Sequence, residues 1–199
     1  MIVEGLCTTV DLEGRLNLAP LGPIVEGDFE SLILRPFPGS KTYENLKARR
    51  RCVFHVTDDA ATMALAAIDQ LDDWPPCVPV AILESPEGSP SAWDVPHLVD
   101  CVRWYALELV SWDESGPRPV AEGRVVASGR ERDFWGFNRA RHALIETAIL
   151  ATRLAWHSPE EIARQLDHCR TVVNKTGGPA ELLAFDRLHA WISARNGGA

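Results

Sequence analysis

Basic charge is scarce in this sequence: 20 lysines and arginines stand against 28 aspartates and glutamates, for a formal net charge of -8. A nucleic-acid groove carries a basic face, so this balance argues against nucleic-acid binding and equally against docking on an anionic membrane. The basic run Lys47-Ala-Arg-Arg-Arg51 is short and reads as a solvated helix end, where cations meet the negative end of the dipole. Long apolar runs are missing too, since none approaches the roughly 20 residues needed to span a bilayer. The start, MIVEGLCTTV, has neither the basic region nor the small-residue cleavage site of a signal peptide, so the expected location is cytoplasmic. Cys7, Cys52, Cys77, Cys101 and Cys169 are scattered, odd in number and form no C-x-x-C pair, which indicates free thiols rather than a zinc site or disulfide framework. There is no P-loop, no dinucleotide G-x-G-x-x-G and no G-x-S-x-G elbow. A pyridine nucleotide such as NAD(P)H, if used, would be a transient substrate.

What is present suits a folded protein. The 199 residues are 46% hydrophobic and 24% charged, enough to bury a core without disulfides. Ile2 to Val10 and Arg15 to Ala19 read as a hairpin around Asp11-Leu-Glu-Gly14, with Pro20, Gly22 and Pro23 bending the returning strand or placing it at a sheet edge. Ser31 to Leu34 and Cys52 to Val56 are short strands, and Lys41 to Arg49 between them is a helix capped by Ser40. Asp58 to Leu71 is a second helix, alanine-rich and stopped at Trp74-Pro-Pro76. Cys77 to Glu84, Leu98 to Trp112 and Arg118 to Ser128 read as strands, with Glu84 to Pro96 as a surface loop. Three helices follow: Asn138 to Trp156, Ser158 to Val172 and Pro179 to Ala194. About six strands and then three helices make an α+β protein, a barrel or sandwich over 1–130 with a helical domain over 131–199.

The stretch Arg35-Pro-Phe-Pro-Gly-Ser-Lys-Thr-Tyr-Glu-Asn45 is the most informative. A strand end, a cation and a proline-glycine turn lead to Ser40-Lys41-Thr42 at a helix start. Exposed N–H groups and the positive end of the dipole attract an anion there, and hydroxyls with Arg35 and Lys41 suit a phosphate. The plainer alternative is that Ser40 is only a helix cap and Lys41 a solvated charge. Around Asn17, the run Gly14 to Pro23 leaves backbone groups free of a ladder, either as a simple bend or to meet the edge of a flat heterocycle. On the last part of the chain Arg139, His142, Glu146 and Arg153 recur at helical spacing as a polar stripe, while Leu144, Ala148 and Ala151 form an apolar face. That stripe is either a solvated salt-bridged face or a set that Glu146 orients toward a cleft. His142 with Glu146 supplies two metal ligands, too few for a site. Trp104 and Trp112 are expected in the barrel core or a dimer seam, and Trp135 and Phe137 are expected to dock the helical cap.

Several segments together resemble a known family. Val3-Glu-Gly, Thr8-Thr9, Gly14-Arg15, Asn17-Leu-Ala-Pro-Leu-Gly-Pro-Ile24, Leu34-Arg-Pro-Phe37, Ser40-Lys-Thr-Tyr43, Asn45-Leu46, Val53-Phe-His-Val-Thr-Asp58, Phe137-Asn-Arg-Ala-Arg-His142, Glu146 and Ala151-Thr-Arg153 resemble the microbial family named domain of unknown function 447. The matches run in order over some 150 residues. That family is similar to flavin-reductase-like and pyridoxamine-phosphate-oxidase-like proteins. The resemblance implies an FMN-binding split β-barrel that dimerises with FMN between subunits, followed by a helical C-terminal extension. It implies that Arg35, Ser40, Lys41 and Thr42 hold the phosphate, with Asn45 steadying that turn or reaching the ligand. Asn17, Ala19 and Pro20 match the strand facing the isoalloxazine ring. His55 approaches the cofactor from the adjacent strand, and Arg139 and His142 are further candidates. A flavin-dependent oxidoreductase follows, or a non-catalytic flavin carrier or sensor on the same scaffold, with a pterin-type compound as one possible substrate.

Overall fold

A computed structural model of the chain describes residues 1–25, 27, 29–80 and 93–196. Gly5–Val10 (β1) and Leu16–Leu21 (β2) form the expected hairpin, with Thr9 opposite Asn17 and Cys7 opposite Ala19. Asp11 builds the turn by accepting the backbone N–H groups of Glu13 and Arg15, and Gly14 takes a φ of 83°, which a side chain would resist. Ile24–Val25 (β3) and Ser31–Leu34 (β4) follow, then helix Lys41–Arg49 (α1) and strand Arg51–Val56 (β5). The remaining strands are Cys77–Val80 (β6), Trp93–Leu98 (β7), Arg103–Leu109 (β8) and Ala121–Arg130 (β9).

Among the described residues seven strands make one antiparallel sheet in the order β2-β1-β5-β8-β9-β4-β3, and β6 and β7 form a separate ribbon. Pro20 is accommodated because β2 is an edge. The opposite edge returns to the start of the chain. Ile2 bridges Ile24, Val25 N–H donates to Met1 O at 2.8 Å, and Val3 N–H donates to Pro23 O at 3.1 Å. The sheet therefore curls on itself around Leu32, Leu34, Leu46, Phe54 and Leu107, none of them solvent-accessible. Each such side chain contributes about 1.5–3 kcal/mol of burial.

The ribbon corrects one expectation. Trp93 to Pro96 belong to β7 rather than to a loop, and the remainder of that loop, 84–92, lies outside the described residues, as do 81–84 of the strand expected from Cys77. Trp93, Val95 and His97 point inward in strict alternation, a pattern masked in the sequence by Asp94 and Pro96. The expected long strand from Leu98 begins only at Arg103, because β7 ends at Leu98 and a turn through Asp100 intervenes.

The helices are Ala60–Ala67 (α2), Arg139–Ala151 (α3), Pro159–Thr176 (α4) and Pro179–Asn196 (α5), with a short 3-10 turn at Leu154–Trp156. Ser158 caps α4 by accepting the Glu161 N–H, and Pro159 sits in its first turn. The chain divides into two compact units: Met1–Thr57 with Pro75–Asp133, and Asp58–Trp74 with Phe134–Ala199. The second unit thus takes α2 out of the expected 1–130 domain. The reason is its apolar face: Ala60, Ala64 and Ile68 share a core with Leu144, Ile162, Phe185 and Leu188. Trp104 is buried as expected, but Trp135 and Phe137 are 80% and 88% exposed within this chain and stand outside the helical core. Cys7, Cys52, Cys101 and Cys169 are buried, and burial pushes the Cys101 thiol up to about 12. Among the described residues no helix is long and apolar enough to cross a membrane, and no group of three metal-ligating side chains forms.

Candidate functional site

The turn after β4 is built to present the start of α1. Ser40 N–H donates to Phe37 O at 3.1 Å, and Gly39 takes a φ of 77°. Ser40 is the N-cap: its hydroxyl accepts Tyr43 N–H at 3.1 Å and its carbonyl accepts Glu44 N–H at 3.0 Å. Arg118 pins the turn from outside. Its guanidinium lies 4.1 Å from the Phe37 ring centre and donates to Arg35 O at 2.8 Å. The side chains of Arg35 and Lys41 are both exposed, on either side of the cap.

Behind this turn lies a buried polar cluster. Thr9 on β1 is fully buried, and Thr42 and Asn45 on α1 are nearly so. Asn17 Nδ2 donates to Thr9 Oγ1 at 3.1 Å and to Thr42 Oγ1 at 3.1 Å, and Asn45 Nδ2 donates to Thr9 Oγ1 at 3.0 Å. Asn17 from β2 and Asn45 from α1, both expected at the cofactor, therefore meet at the Thr9 hydroxyl, and Thr42 joins the cluster through Asn17. Ala19 and Pro20 continue β2 beyond Asn17, both partly exposed.

The other end of α1 is strapped by the turn before β9. Tyr43 Oη donates to Glu114 at 2.5 Å, and Lys47 Nζ donates to both Glu114 oxygens at 2.9 and 3.0 Å. The Tyr43 hydroxyl and the Lys47 ammonium together pull the Glu114 carboxyl down to about 2. Arg50 closes the helix in the left-handed region at φ 58° and stacks over Trp112.

His55 differs from its expected role. It is completely buried on β5, with Nδ1 3.1 Å from Leu6 O and Leu98 N–H donating to Nε2 at 3.1 Å. Both ring nitrogens are engaged by backbone, which fixes the neutral Nδ1–H tautomer and leaves neither free for a ligand. Burial, partly opposed by the Leu6 carbonyl and reinforced by His97, lowers its pKa to about 3. His55 thus ties β1, β5 and β7 together.

Two family models match the chain: the N-terminal domain of the protein of unknown function DUF447 over residues 3–132, and the protein of unknown function DUF447 over residues 138–190. The chain belongs to the DUF447 family. Among solved structures, an FMN-bound DUF447 protein from Methanosarcina mazei matches with a TM-score of 0.76 and 22% identity, covering 96% of this chain and 94% of that one. A flavoredoxin from Methanosarcina acetivorans matches with a TM-score of 0.51 and 12% identity, over 68% of this chain and 72% of that one. An FMN-binding protein from Thermus thermophilus matches at 0.49 and 19% identity, over 66% and 72%. The fold of this DUF447 chain is the split β-barrel with a helical C-terminal extension.

Two residues of the DUF447 chain's candidate site escaped sequence reasoning. Thr9 enters the sequence reading only as part of a β-rich run and of the family resemblance, and Arg118 only as the start of an expected strand; neither has a local signal for its role, since each acts on a distant segment. Arg139 and His142 belong to the other compact unit, exposed on α3, with the Phe137 ring edge-on to His142 at 6.0 Å. The ion pairs of α3 among the described residues fall instead to Arg141, which reaches Asp58 and Glu181, each at 3.2 Å. Arg153 lies over the Trp156 ring.

Proposed function

We propose that this chain binds FMN, with the phosphate at the first turn of α1 and the isoalloxazine ring along β2, and that it works as a flavin-dependent oxidoreductase, a homodimer with FMN at the subunit interface. The observation that carries this reading is the Thr9 cluster, which hydrogen-bonds the ring-side Asn17 to the phosphate-side Thr42 and Asn45. The FMN-bound relative from Methanosarcina mazei supports it at the level of fold and cofactor.

The donor set fits the cofactor. A phosphate needs N–H groups, hydroxyls and cations, and the start of α1 brings Ser40, Thr42, Lys41 and Arg35 to one turn. Bound FMN supplies the redox chemistry at its isoalloxazine ring. The chain's own task is to hold and orient it. Lys41 and Arg35 oppose the phosphate charge, the α1 dipole adds to them, and Asn17 with the backbone at Ala19 and Pro20 lines the ring side. Glu114 and Lys47 hold α1 from its other flank, so the phosphate turn does not drift.

The visible spectrum of purified protein, with and without added FMN, tests binding; absence of flavin bands and of fluorescence quenching at micromolar FMN overturns the proposal. Arg35→Ala with Lys41→Ala should weaken FMN at least about tenfold, as loss of charge-assisted bonds implies, and leave riboflavin affinity unchanged. Equal FMN affinity in that variant moves the phosphate elsewhere. Anaerobic mixing with NADH or NADPH, and with a reduced pterin, separates oxidoreductase from carrier: flavin bleaching at turnover rates supports the enzyme, and no bleaching with any donor supports a carrier or sensor.

A further inference from the structure

We propose that Thr9 is a positioning residue that sets the hydrogen-bonding polarity of the ligand site, turning Asn17 into an acceptor that selects a ring carrying an N–H. This inference rests on the flavin reading above and deepens it.

A side-chain amide is ambivalent, because it offers two N–H protons on one end and an oxygen acceptor on the other. A ligand site that used a free asparagine could therefore bond either a ring carbonyl or a ring N–H by flipping. Here the flip is constrained. The Thr9 hydroxyl has one proton and two amide partners, Asn17 at 3.1 Å and Asn45 at 3.0 Å. One hydroxyl proton cannot serve two acceptors, so at least one amide must donate to Thr9, and in the structure both Nδ2 groups do. Thr42 Oγ1 then takes the second proton of Asn17 Nδ2 at 3.1 Å.

Both protons of the Asn17 amide are consequently used inside the protein. The group that Asn17 has left for a ligand is Oδ1, which can only accept. The pyrimidine edge of an oxidised flavin has a single N–H flanked by two carbonyls, and an acceptor held in place reads that N–H and repels either carbonyl. Thr9 touches no ligand in this scheme, since it is fully buried. It acts through Asn17, and its position on β1 directly opposite Asn17 on β2 is what makes the lock possible. Its other partner, Asn45, anchors the same hydroxyl to α1, so the polarity of the ring side and the placement of the phosphate turn depend on one buried oxygen.

The test compares FMN with FMN methylated at that ring nitrogen, titrated by fluorescence into the full-length wild-type protein and the Thr9→Ser and Thr9→Val variants. Wild type should prefer FMN over the methylated analogue by roughly tenfold or more, about what one neutral hydrogen bond plus an unmet acceptor is worth. Thr9→Ser keeps the hydroxyl and should keep that ratio. Thr9→Val removes it, frees the Asn17 amide to turn, and should shrink the ratio at least roughly threefold relative to wild type. The same ratio in Thr9→Val and wild type overturns the proposal, as does a loss of preference in Thr9→Ser. A Thr9→Val protein that does not fold is replaced by Asn17→Ala, which removes the acceptor itself and should abolish the preference. If the ratio for Asn17→Ala equals that of wild type, the proposal is refuted. Failure of wild type to bind FMN at all is a separate result, which overturns the flavin reading itself.

Discussion

His55 offers the sharpest test of the fold. Its Nδ1–H faces the Leu6 carbonyl, and its Nε2 accepts from Leu98 N–H, both at 3.1 Å and both out of water. A second proton would set an N–H of the ring against the Leu98 N–H and place a charge where nothing compensates it. The imidazole therefore titrates at about 3 when folded, against 6.5 for an unperturbed histidine. Between those values the unfolded chain binds a proton that the folded chain refuses. Stability from this group is thus complete above the unfolded value and is lost as pH falls toward the folded one. The whole effect is about 5 kcal/mol as an upper bound, and the part lost between pH 8 and pH 5 is about 2 kcal/mol. Urea unfolding followed by tryptophan fluorescence at several pH values measures it, with His55→Gln as the reference in which this proton cannot bind. Wild type should lose about 2 kcal/mol more than His55→Gln over that range, whatever the absolute stability of the variant. Equal losses in the two proteins refute the reasoning, and so does an NMR titration of His55 with a midpoint near its unperturbed value.

Gly129→Ala should destabilise the barrel by about 1–3 kcal/mol, read as a lower thermal midpoint, because overpacking must be relieved. Its new Cβ would lie 2.6 Å from the Trp104 indole, and that ring is already fixed by stacking on His97 and by donation to Glu131 at 2.9 Å. Arg141→Met should cost the helical unit roughly 2–4 kcal/mol, because it removes the cation paired with the buried Asp58 carboxylate. The lower end of that range applies because Asp58 still accepts the Trp135 N–H at 2.9 Å. Adding Asp58→Asn to Arg141→Met should recover part of that loss; a double variant less stable than the single one would show that the pair is not what holds the segment.

Much of the molecule was legible in the sequence where the signal is local. Ser40 as cap and Lys41 to Arg49 as helix follow from a hydroxyl within reach of an N–H three residues on. The first hairpin follows from Asp11 and Gly14, and the helix after Ser158 from its cap and Pro159, because each turn is closed by groups a few residues apart. The family resemblance brought β2 and the α1 turn into one hypothesis, which local chemistry alone left open between a phosphate site and a plain helix start. Other features needed the folded chain. Asn17 meets Thr42 across 25 residues and Asn45 meets Thr9 across 36, so only strand register and the packing of α1 decide which amide meets which hydroxyl. The same holds for His55, whose second backbone partner is 43 residues away, and for β7, which is a strand because β6 pairs with it. It holds too for α3, where spacing alone favoured Arg139 and His142, yet the partners supplied by the segment before α2 and by α5 select Arg141. Sequence determines which groups are available and how each segment begins and ends; hydrogen-bond directionality and close packing between distant segments decide which of those groups become a site.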